Sequence, residues 1–463
     1  MKPLNSIIHR RGFISTIIVA FLIGATIIYI SALFFSGEIS DEKEYYLIFT
    51  SAFLTIIPIC RYIISAKKDF NLFSPYFLPL AIIGIIYIIP SVFLSIVEKK
   101  PIFLTALVIQ IIGVFAYLFG LVAWDLFKPS HNVERGQKID EFLVSATEKS
   151  QKITMKIILT VGLLLLTTYG FISNVTISML KKISIEDLRR TAEIGKGFIK
   201  EPGVFFVTTA ALWLAFYGFL KRRVSAKKYF LFVFIIAFFL FVTTGHKAPV
   251  VALLLLAVGL YGKYNKVSFL KVIICVLLLF LIIISMNSIR SGDGMNISKI
   301  AERSFALTVP IYEMNYLQLV WLVKKDLLKI QFGNEYLQNS MIIIPRFLWQ
   351  NKPISFDYSL KQLLKFNFLG GGAPPTMFGS LYINFGLYGV FIGMFIIGVF
   401  YKYLYGIYLR SCNLLVIIPV LYLMLYLLDP STFSATLLLV VIFMIFVHVL
   451  NRVLFKIINR GNN

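Results

Sequence analysis

The most regular feature of the chain is a series of long apolar runs separated by polar connections. A bilayer core about 30 Å thick is crossed by roughly 20 apolar residues in an α-helix. The runs are continuous, whereas the strands of a membrane barrel alternate apolar and polar residues. The runs lie at residues 13–35, 45–64, 76–96, 102–124, 157–177, 204–220, 229–244, 249–262, 269–287, 376–401, 414–428 and 435–450. The pattern predicts an all-α polytopic membrane protein with about 12 transmembrane helices.

The charges of the connections predict how the spans are oriented. All charged residues of the connection at 221–228 are basic, whereas those at 36–44 are mainly acidic. Since short cytoplasmic loops carry an excess of Lys and Arg, the first connection is predicted inside and the second outside. Lys2, Arg10 and Arg11 precede the first run, which places the N-terminus in the cytoplasm. An even number of spans then returns the C-terminus to the same side.

The composition supports a membrane protein. Of the 463 residues, 59% are hydrophobic and only 14% are charged, and the mean hydropathy is +0.85. An ordinary soluble domain has about 25% charged residues, so a soluble enzyme, a disordered chain and a coiled coil are excluded. We assign the net charge of +23 to cytoplasmic connections rather than to nucleic-acid binding. The three cysteines lie in or beside apolar runs and have no disulfide or metal-ligand spacing.

One connection, residues 288–375, is much longer than the others and is predicted on the outer side. It divides the chain into nine spans (1–287), the large outer loop (288–375), and spans 10–12 with a cytoplasmic tail (376–463). The loop is rich in aromatic residues, which can pack and which favour the membrane interface. We expect it to be ordered, partly helical and catalytic, with an interfacial helix at Glu313–Lys329. A lid packed over the bundle is the alternative for that stretch.

Three arginines of the loop lie beside apolar segments, near the predicted membrane surface: Arg290, Arg303 and Arg346. A lipid diphosphate headgroup would lie at the same depth, and the planar guanidinium of arginine binds phosphate bidentately. These arginines are therefore the candidate diphosphate-binding residues. Contact with anionic lipid headgroups, or a surface salt bridge, is the alternative for each of them.

The segment Ile344–Pro353, IPRFLWQNKP, is the most unusual part of the loop. Its two prolines restrict the backbone, which predicts a stiff, non-helical platform that presents Arg346 and Trp349. A sugar ring could stack on Trp349. Tyr382 and Asn384, near the outer end of the next span, are polar and are further candidates for glycan contact.

Candidates for acid–base chemistry are few on the predicted outer side. His246 is the only histidine placed there, at the tip between the runs at 229–244 and 249–262. Histidine is the usual general base near neutral pH, although a histidine at a turn is more often a polar cap. Glu313 and Asp357 in the large loop are the rival bases. No Ser-His-Asp order, zinc-ligand spacing or Walker motif is present, so no metal site is predicted.

The layout and two segments resemble the Wzy-type polymerases of bacterial O-antigen and capsular repeat units. The layout is a bundle of many spans with one large outer loop late in the chain. The segments are Ile344–Pro353 and Phe378–Gly398 (FGSLYINFGLYGVFIGMFIIG), so the resemblance is strongest over residues 330–400. Members commonly have an arginine in an outer tip comparable to Thr244–Pro249, where this chain has a histidine and a lysine.

The resemblance implies a glycosyltransferase that uses polyprenyl-diphosphate-linked oligosaccharides and no metal or other cofactor. Such an enzyme moves the growing glycan from its lipid carrier to a new lipid-linked repeat unit. It would act at the outer face of the bacterial cytoplasmic (inner) membrane, in lipopolysaccharide O-antigen or capsule biosynthesis. Its partners would be the lipid-linked oligosaccharide, membrane lipid, and a chain-length regulator and a flippase of the same machinery.

Two other functions stay open on the sequence. A flippase or another transporter of lipid-linked oligosaccharide would suit twelve spans equally well. Transporters, however, tend to place charges at mid-membrane and to show two similar halves, whereas these spans hold almost no charges and the halves differ. A structural scaffold for a surface-polymer machine would not need the proline-bracketed basic and aromatic segment. The polymerase is therefore the preferred prediction.

Overall fold

The structure, a computed structural model, is helical in all of its regular parts. It describes residues 41–66, 70–89, 104–127, 148–173, 197–221, 224–246, 248–265, 267–270, 274, 331–341, 344, 348–353, 356, 360 and 375–460. No strand occurs within these ranges. The helices are α1 (Asp41–Ala66), α2 (Leu78–Ile83, continued by a π-helical turn at Gly84–Ile88), α3 (Leu104–Phe127), α4 (Glu148–Ile172), α5 (Gly197–Leu220), α6 (Ala226–Thr244), α7 (Ala248–Tyr264), α8 (Asn334–Ser340), α9 (Thr376–Arg410), α10 (Leu414–Tyr426) and α11 (Pro430–Arg460).

Seven of these helices are long and apolar enough to cross a membrane: α1, α3, α4, α5, α6, α9 and α11. Three shorter apolar helices accompany them: α2 with its π-helical turn, α7 and α10. Each coincides with one of the predicted apolar runs, which confirms the all-helical membrane fold for this part of the chain. The run at 13–35 and most of the run at 269–287 lie outside the described residues, so the count of twelve spans stays a prediction.

The outward faces of the helices are covered with large apolar side chains. Phe238 of α6 is 68% exposed, Tyr388 of α9 is 83% exposed and Ile445 of α11 is 60% exposed. A contiguous apolar surface of this kind marks contact with a membrane or a partner. Together with the span lengths, it indicates that lipid surrounds the bundle.

Helices α3 and α9 lie side by side and run in the same direction. The aromatic rings of α3 contact those of α9 in the same order along both helices, as expected if the helices are parallel. The pairs are Phe115 with Phe391, Phe119 with Phe395, and Trp124 with Tyr403. Neighbours that run parallel cross the membrane in the same sense, as expected for the fourth and tenth of the predicted spans.

Two glycines bring the backbones of α3 and α9 into direct contact. A β-carbon at Gly120 would lie 2.2 Å from the carbonyl oxygen of Phe395, and one at Gly398 would lie 2.3 Å from the carbonyl oxygen of Tyr117. Main-chain atoms cannot rotate out of the way as a side chain can. Close approach through small residues is typical of helix packing in membranes, and here it fixes α9 against α3.

Helix α9 breaks sharply at Gly386, whose φ of 66° and ψ of −155° are not helical. Leu381, before the break, packs so closely that a β-carbon at Gly393 would lie 2.4 Å from its side chain. In a straight helix, with a rise of about 1.5 Å per residue, these two positions would be about 18 Å apart. Residues 376–385, named here the fold-back arm, therefore turn back against residues 387–410. The predicted span at 376–401 thus coincides with α9 but contains a reversal, which the sequence analysis did not predict because hydropathy does not reveal a positive φ at glycine.

Candidate functional site

Charged and polar side chains gather at one end of the bundle, named here the polar end. It is the end at which α5 begins and α6 and α10 finish, since Lys200 of α5 contacts His246 after α6, and Phe205 of α5 contacts Tyr422 of α10. Two separate contacts of its side chains, one at the start of α5 and one on the fold-back arm, are described below. Its charged and titratable residues include Lys200, Glu201, His246, Glu335 and Asp429.

The opposite end of the bundle is basic. Lys221, after α5, pairs with Glu148 at 3.2 Å, and Lys402 of α9 pairs with Asp125 of α3. Lys263, in the last turn of α7, donates to the carbonyl oxygen of Ser411 at 2.6 Å. The bundle is therefore electrically asymmetric along its axis.

The most enclosed charged group at the polar end is the carboxyl group of Glu335 on the short helix α8. Its side chain is fully buried. The hydroxyl oxygen of Ser380 lies 3.0 Å from Oε1 and 2.9 Å from Oε2 of Glu335, and Nδ2 of Asn384 donates to Oε2 at 2.6 Å. Both donors belong to the fold-back arm, so a carboxylate of the outer loop is held by the residues just before the break.

Backbone hydrogen bonds reinforce this contact at the end of the fold-back arm. The last carbonyls of a helix lack partners within the helix. Here the N–H of Gln331 donates to the carbonyl of Ile383, and the N–H of Phe332 donates to the carbonyl of Asn384, both at 3.1 Å. The N–H of Gly333 donates to Oδ1 of Asn384 at 2.9 Å. The outer loop thus caps the arm that the break at Gly386 would leave open.

The hydroxyl oxygen of Tyr336, next to Glu335, lies 3.4 Å from the hydroxyl oxygen of Ser380. Burial raises the pKa of Tyr336 to about 12, the hydrogen bond with Ser380 lowers it, and the nearby charges of Glu335 and Asp429 raise it. The phenol therefore keeps its proton at neutral pH. The hydroxyl of Ser434, in the first turns of α11, donates to the backbone carbonyl of Tyr336 at 3.0 Å, which ties α8 to α11.

His246 lies in the tip between α6 and α7. Gly245 ends α6 with a φ of 68°, and the N–H of His246 donates to the hydroxyl oxygen of Thr244 at 3.2 Å. Nζ of Lys200 is 3.0 Å from Nε2 of His246 and 3.4 Å from a carboxylate oxygen of Glu201. Because an ammonium only donates, Nε2 of His246 is the acceptor in this contact. This nitrogen is thus occupied by Lys200, and a role as general base requires that the acceptor hydroxyl take the place of Lys200 on it.

Under the polymerase activity that the resemblance implies, replacing His246 by Ala is expected to remove most polymer formation, and replacing it by Gln is not expected to restore it. Glutamine keeps an oxygen that can accept from Lys200 but cannot take up a proton, and general-base catalysis is typically worth about 10²–10⁴-fold in rate. The assay uses purified protein with lipid-linked repeat unit as the sole substrate. Activity restored by Gln would show that His246 only holds Lys200.

The other predicted site residues are placed as follows. Trp349 lies in a turn at 348–351 and is 37% exposed. The Nζ of Lys352 donates to the carbonyl of Ile344 at 2.9 Å, across the proline-bracketed segment. Tyr382 is half-buried on the fold-back arm. The predicted residues outside the described ranges are Arg290, Arg303, Glu313, Arg346 and Asp357.

Asn384 has a different environment from the one expected of a glycan contact. Its amide group donates to Glu335 and to the carbonyl of Ser380, the latter at 2.8 Å, while its oxygen accepts from Gly333. The side chain is fully buried. Each of its polar atoms is therefore engaged in holding the outer loop to the fold-back arm.

Sequence reasoning missed Glu335 and Lys200. Each becomes distinctive only through a partner that is far away in the chain: Ser380 and Asn384 for Glu335, and His246 for Lys200. A buried carboxylate in a loop of mixed charge gives no periodic signal. Within the described ranges, no group of three His, Cys, Asp or Glu side chains is placed to hold a metal ion.

Comparison with known proteins identifies the family. No curated protein and no solved structure matches the chain. The model of one family, described as "Putative O-antigen polymerase", matches residues 71–314. That stretch is more than half of the 463 residues and includes α2 to α7. The chain belongs to the O-antigen polymerase family.

Proposed function

We propose that the protein joins polyprenyl-diphosphate-linked oligosaccharide repeat units into a surface polysaccharide, at the outer face of the bacterial cytoplasmic membrane. The family match is the main support for this proposal, because O-antigen polymerases join repeat units and this chain has helices that can span a membrane. The charge asymmetry of the bundle supports the face, since basic residues favour the cytoplasmic side. The polar end is then external, and both termini are cytoplasmic.

The chemistry suits this location. Nucleotide sugars and ATP are absent outside the cell membrane, so the donor has to carry its own leaving group, and a lipid diphosphate does. The bond between the sugar C1 and the diphosphate oxygen breaks, and a bond from C1 to the acceptor hydroxyl oxygen forms. The hydroxyl proton passes to a base, and the diphosphate leaves as an anion that cations stabilise.

The residues proposed for these steps are those predicted from the sequence. Arg290, Arg303 and Arg346 would bind the diphosphate, and Trp349 and Tyr382 would contact the glycan. For the base the candidates are His246, Glu313 and Asp357. His246 is favoured by its place at the polar end, where the ring lies beside Lys200. A chain-length regulator and a flippase would act beside the enzyme.

A strain that lacks this chain tests the proposal. Its surface anchor is expected to carry one repeat unit with no ladder of longer glycans, because repeat units still reach the outer face but are not joined. Gel separation of the surface glycan gives the readout, and the gene supplied on a plasmid should restore the ladder. A surface without any repeat unit would contradict the proposal and indicate a flippase.

A further inference from the structure

The large outer loop is tied to the bundle on both sides of its last segment. Residues 331–335, which precede this segment, bond to Ser380, Ile383 and Asn384 on the fold-back arm, which follows it. Between these two points the chain runs from 341 to 375 and contains three of the predicted site residues. One set of contacts therefore holds the two ends of this segment close together.

Glu335 is the charged member of this set and is fully buried. A buried carboxylate is costly unless hydrogen bonds satisfy it, and Ser380 and Asn384 donate at 2.9 Å and 2.6 Å. If one partner is removed, the polar groups of the other two stay buried without their hydrogen bonds. The free energy of their desolvation is then not compensated. The contact is thus sensitive to a change in any of its three side chains.

We infer that Glu335 is a positioning residue for the transfer reaction, an inference that rests on the proposed function. Glu335, Ser380 and Asn384, named here the loop clamp, hold the two ends of the 341–375 segment together. The clamp fixes both ends of the segment that contains Trp349. Because its carboxylate is enclosed by the clamp partners, Glu335 acts through the loop and does not take the acceptor proton.

An exchange of the carboxylate and the amide separates positioning from proton transfer. Asn384→Asp places a second carboxylate where Nδ2 of Asn384 donates at 2.6 Å to Glu335, so two like charges meet. Glu335→Gln keeps an oxygen for Asn384 and adds an N–H for Ser380. The double variant Glu335→Gln with Asn384→Asp restores one carboxylate facing one amide, in exchanged positions.

The expected order of turnover follows from these contacts. Asn384→Asp should lower kcat by about 10²-fold, the loss that follows from misplacing reacting groups by about 1 Å. Glu335→Ala should be similarly impaired, and Glu335→Gln should retain most activity. The double variant should recover part of what Asn384→Asp loses, because the new carboxylate regains an amide donor at position 335 but still faces the carbonyl of Ser380. Turnover is measured with purified protein and lipid-linked repeat unit.

A readout that does not depend on activity accompanies the assay. Lys352, Lys361 and Lys365 lie in the segment and are potential trypsin sites. Glu335→Ala, Asn384→Asp and Ser380→Ala should be cleaved there faster than the wild type, and the double variant should be cleaved more slowly than Asn384→Asp. Ser380→Ala removes only one hydroxyl and guards against a variant that fails to fold. Glu148→Gln, at the basic end, removes a carboxylate that is 58% exposed and should change neither readout.

The outcomes separate the inference from the proposed function. If wild-type protein makes no polymer, the proposed function fails, and the cleavage rates still test the clamp. Glu335→Gln as inactive as Glu335→Ala, with no recovery in the double variant, would overturn the inference, because the carboxylate itself would then be required at position 335. Wild-type turnover and cleavage in Asn384→Asp or Ser380→Ala would also overturn it.

Discussion

Arg346→Ala is expected to abolish long polymer while leaving the amount of protein in the membrane unchanged. The leaving diphosphate carries negative charge that grows as its bond to the sugar breaks, and a preorganised cation stabilises it. Loss of one such group typically costs about 10²–10³-fold in kcat. The proline-bracketed sequence around Arg346 supports this role. The measurement is polymer length and turnover with purified protein.

Two control variants interpret that result. Arg346→Lys should recover activity only in part, because lysine keeps the charge but not the bidentate fork. Lys365→Ala removes another positive charge from the same loop and should have little effect. Full recovery by Lys would reduce the role of Arg346 to general charge. Polymer of wild-type length from Arg346→Ala would exclude this residue from the diphosphate site.

Gly120→Ala and Gly398→Ala are each expected to destabilise the protein strongly. The new β-carbon would lie 2.2 Å or 2.3 Å from a carbonyl oxygen of the facing helix, so α3 and α9 have to separate. Overpacking typically costs about 1–3 kcal/mol, a large share of the roughly 5–15 kcal/mol by which proteins are stable. The measurement is the thermal unfolding midpoint of the purified protein in detergent, together with its yield from the membrane.

Gly262→Ala is the matched control for these two glycines. It lies in α7, and a β-carbon there would meet nothing nearer than a methyl group of Val267 at 3.8 Å. Alanine favours a helix by up to about 1 kcal/mol over glycine, so this variant should be as stable as the wild type or slightly more stable. Equal melting temperatures for all three variants would show that α3 and α9 do not depend on close backbone contact.

The helical membrane fold was predictable because it depends on the composition of contiguous segments. Runs such as 102–124 and 204–220 coincide with α3 and α5 since lipid requires every backbone group to bond within its own helix. The break at Gly386 was not predictable in the same way. Gly386, Gly389 and Gly393 all fit a continuous helix face, and only the contact between Leu381 and Gly393 shows that the chain reverses.

The candidate site was predictable in its location but not in its contacts. Residue type and predicted topology placed His246 on the outer side, and the structure places it at the polar end beside Lys200. Asn384 was noticed because it is polar in an apolar run, yet its partners Gly333 and Glu335 lie about fifty positions earlier. Pairings between distant segments arise from tertiary packing, which one sequence does not encode in a local pattern.

The resemblance and the family match depend on different parts of the chain. The resemblance was strongest over residues 330–400, whereas the family model matches residues 71–314. The two stretches meet in the fold, because α3 of the matched region packs against α9 of the other. The matched region and the fold-back arm are therefore parts of one packed bundle.

The fold-back arm also bears on how the protein is made. Several of its partners precede it in the chain: α3, with Gly113 against Phe378, and residues 331–335, which cap its end. Chains are synthesised from the N-terminus, and their earlier parts can fold first. When residues 376–410 leave the ribosome as one long apolar stretch, these partners have already been synthesised, and only the contact of Leu381 with Gly393 has to wait for the rest of α9. Earlier parts of the same chain are thus available to hold the arm as this stretch enters the membrane.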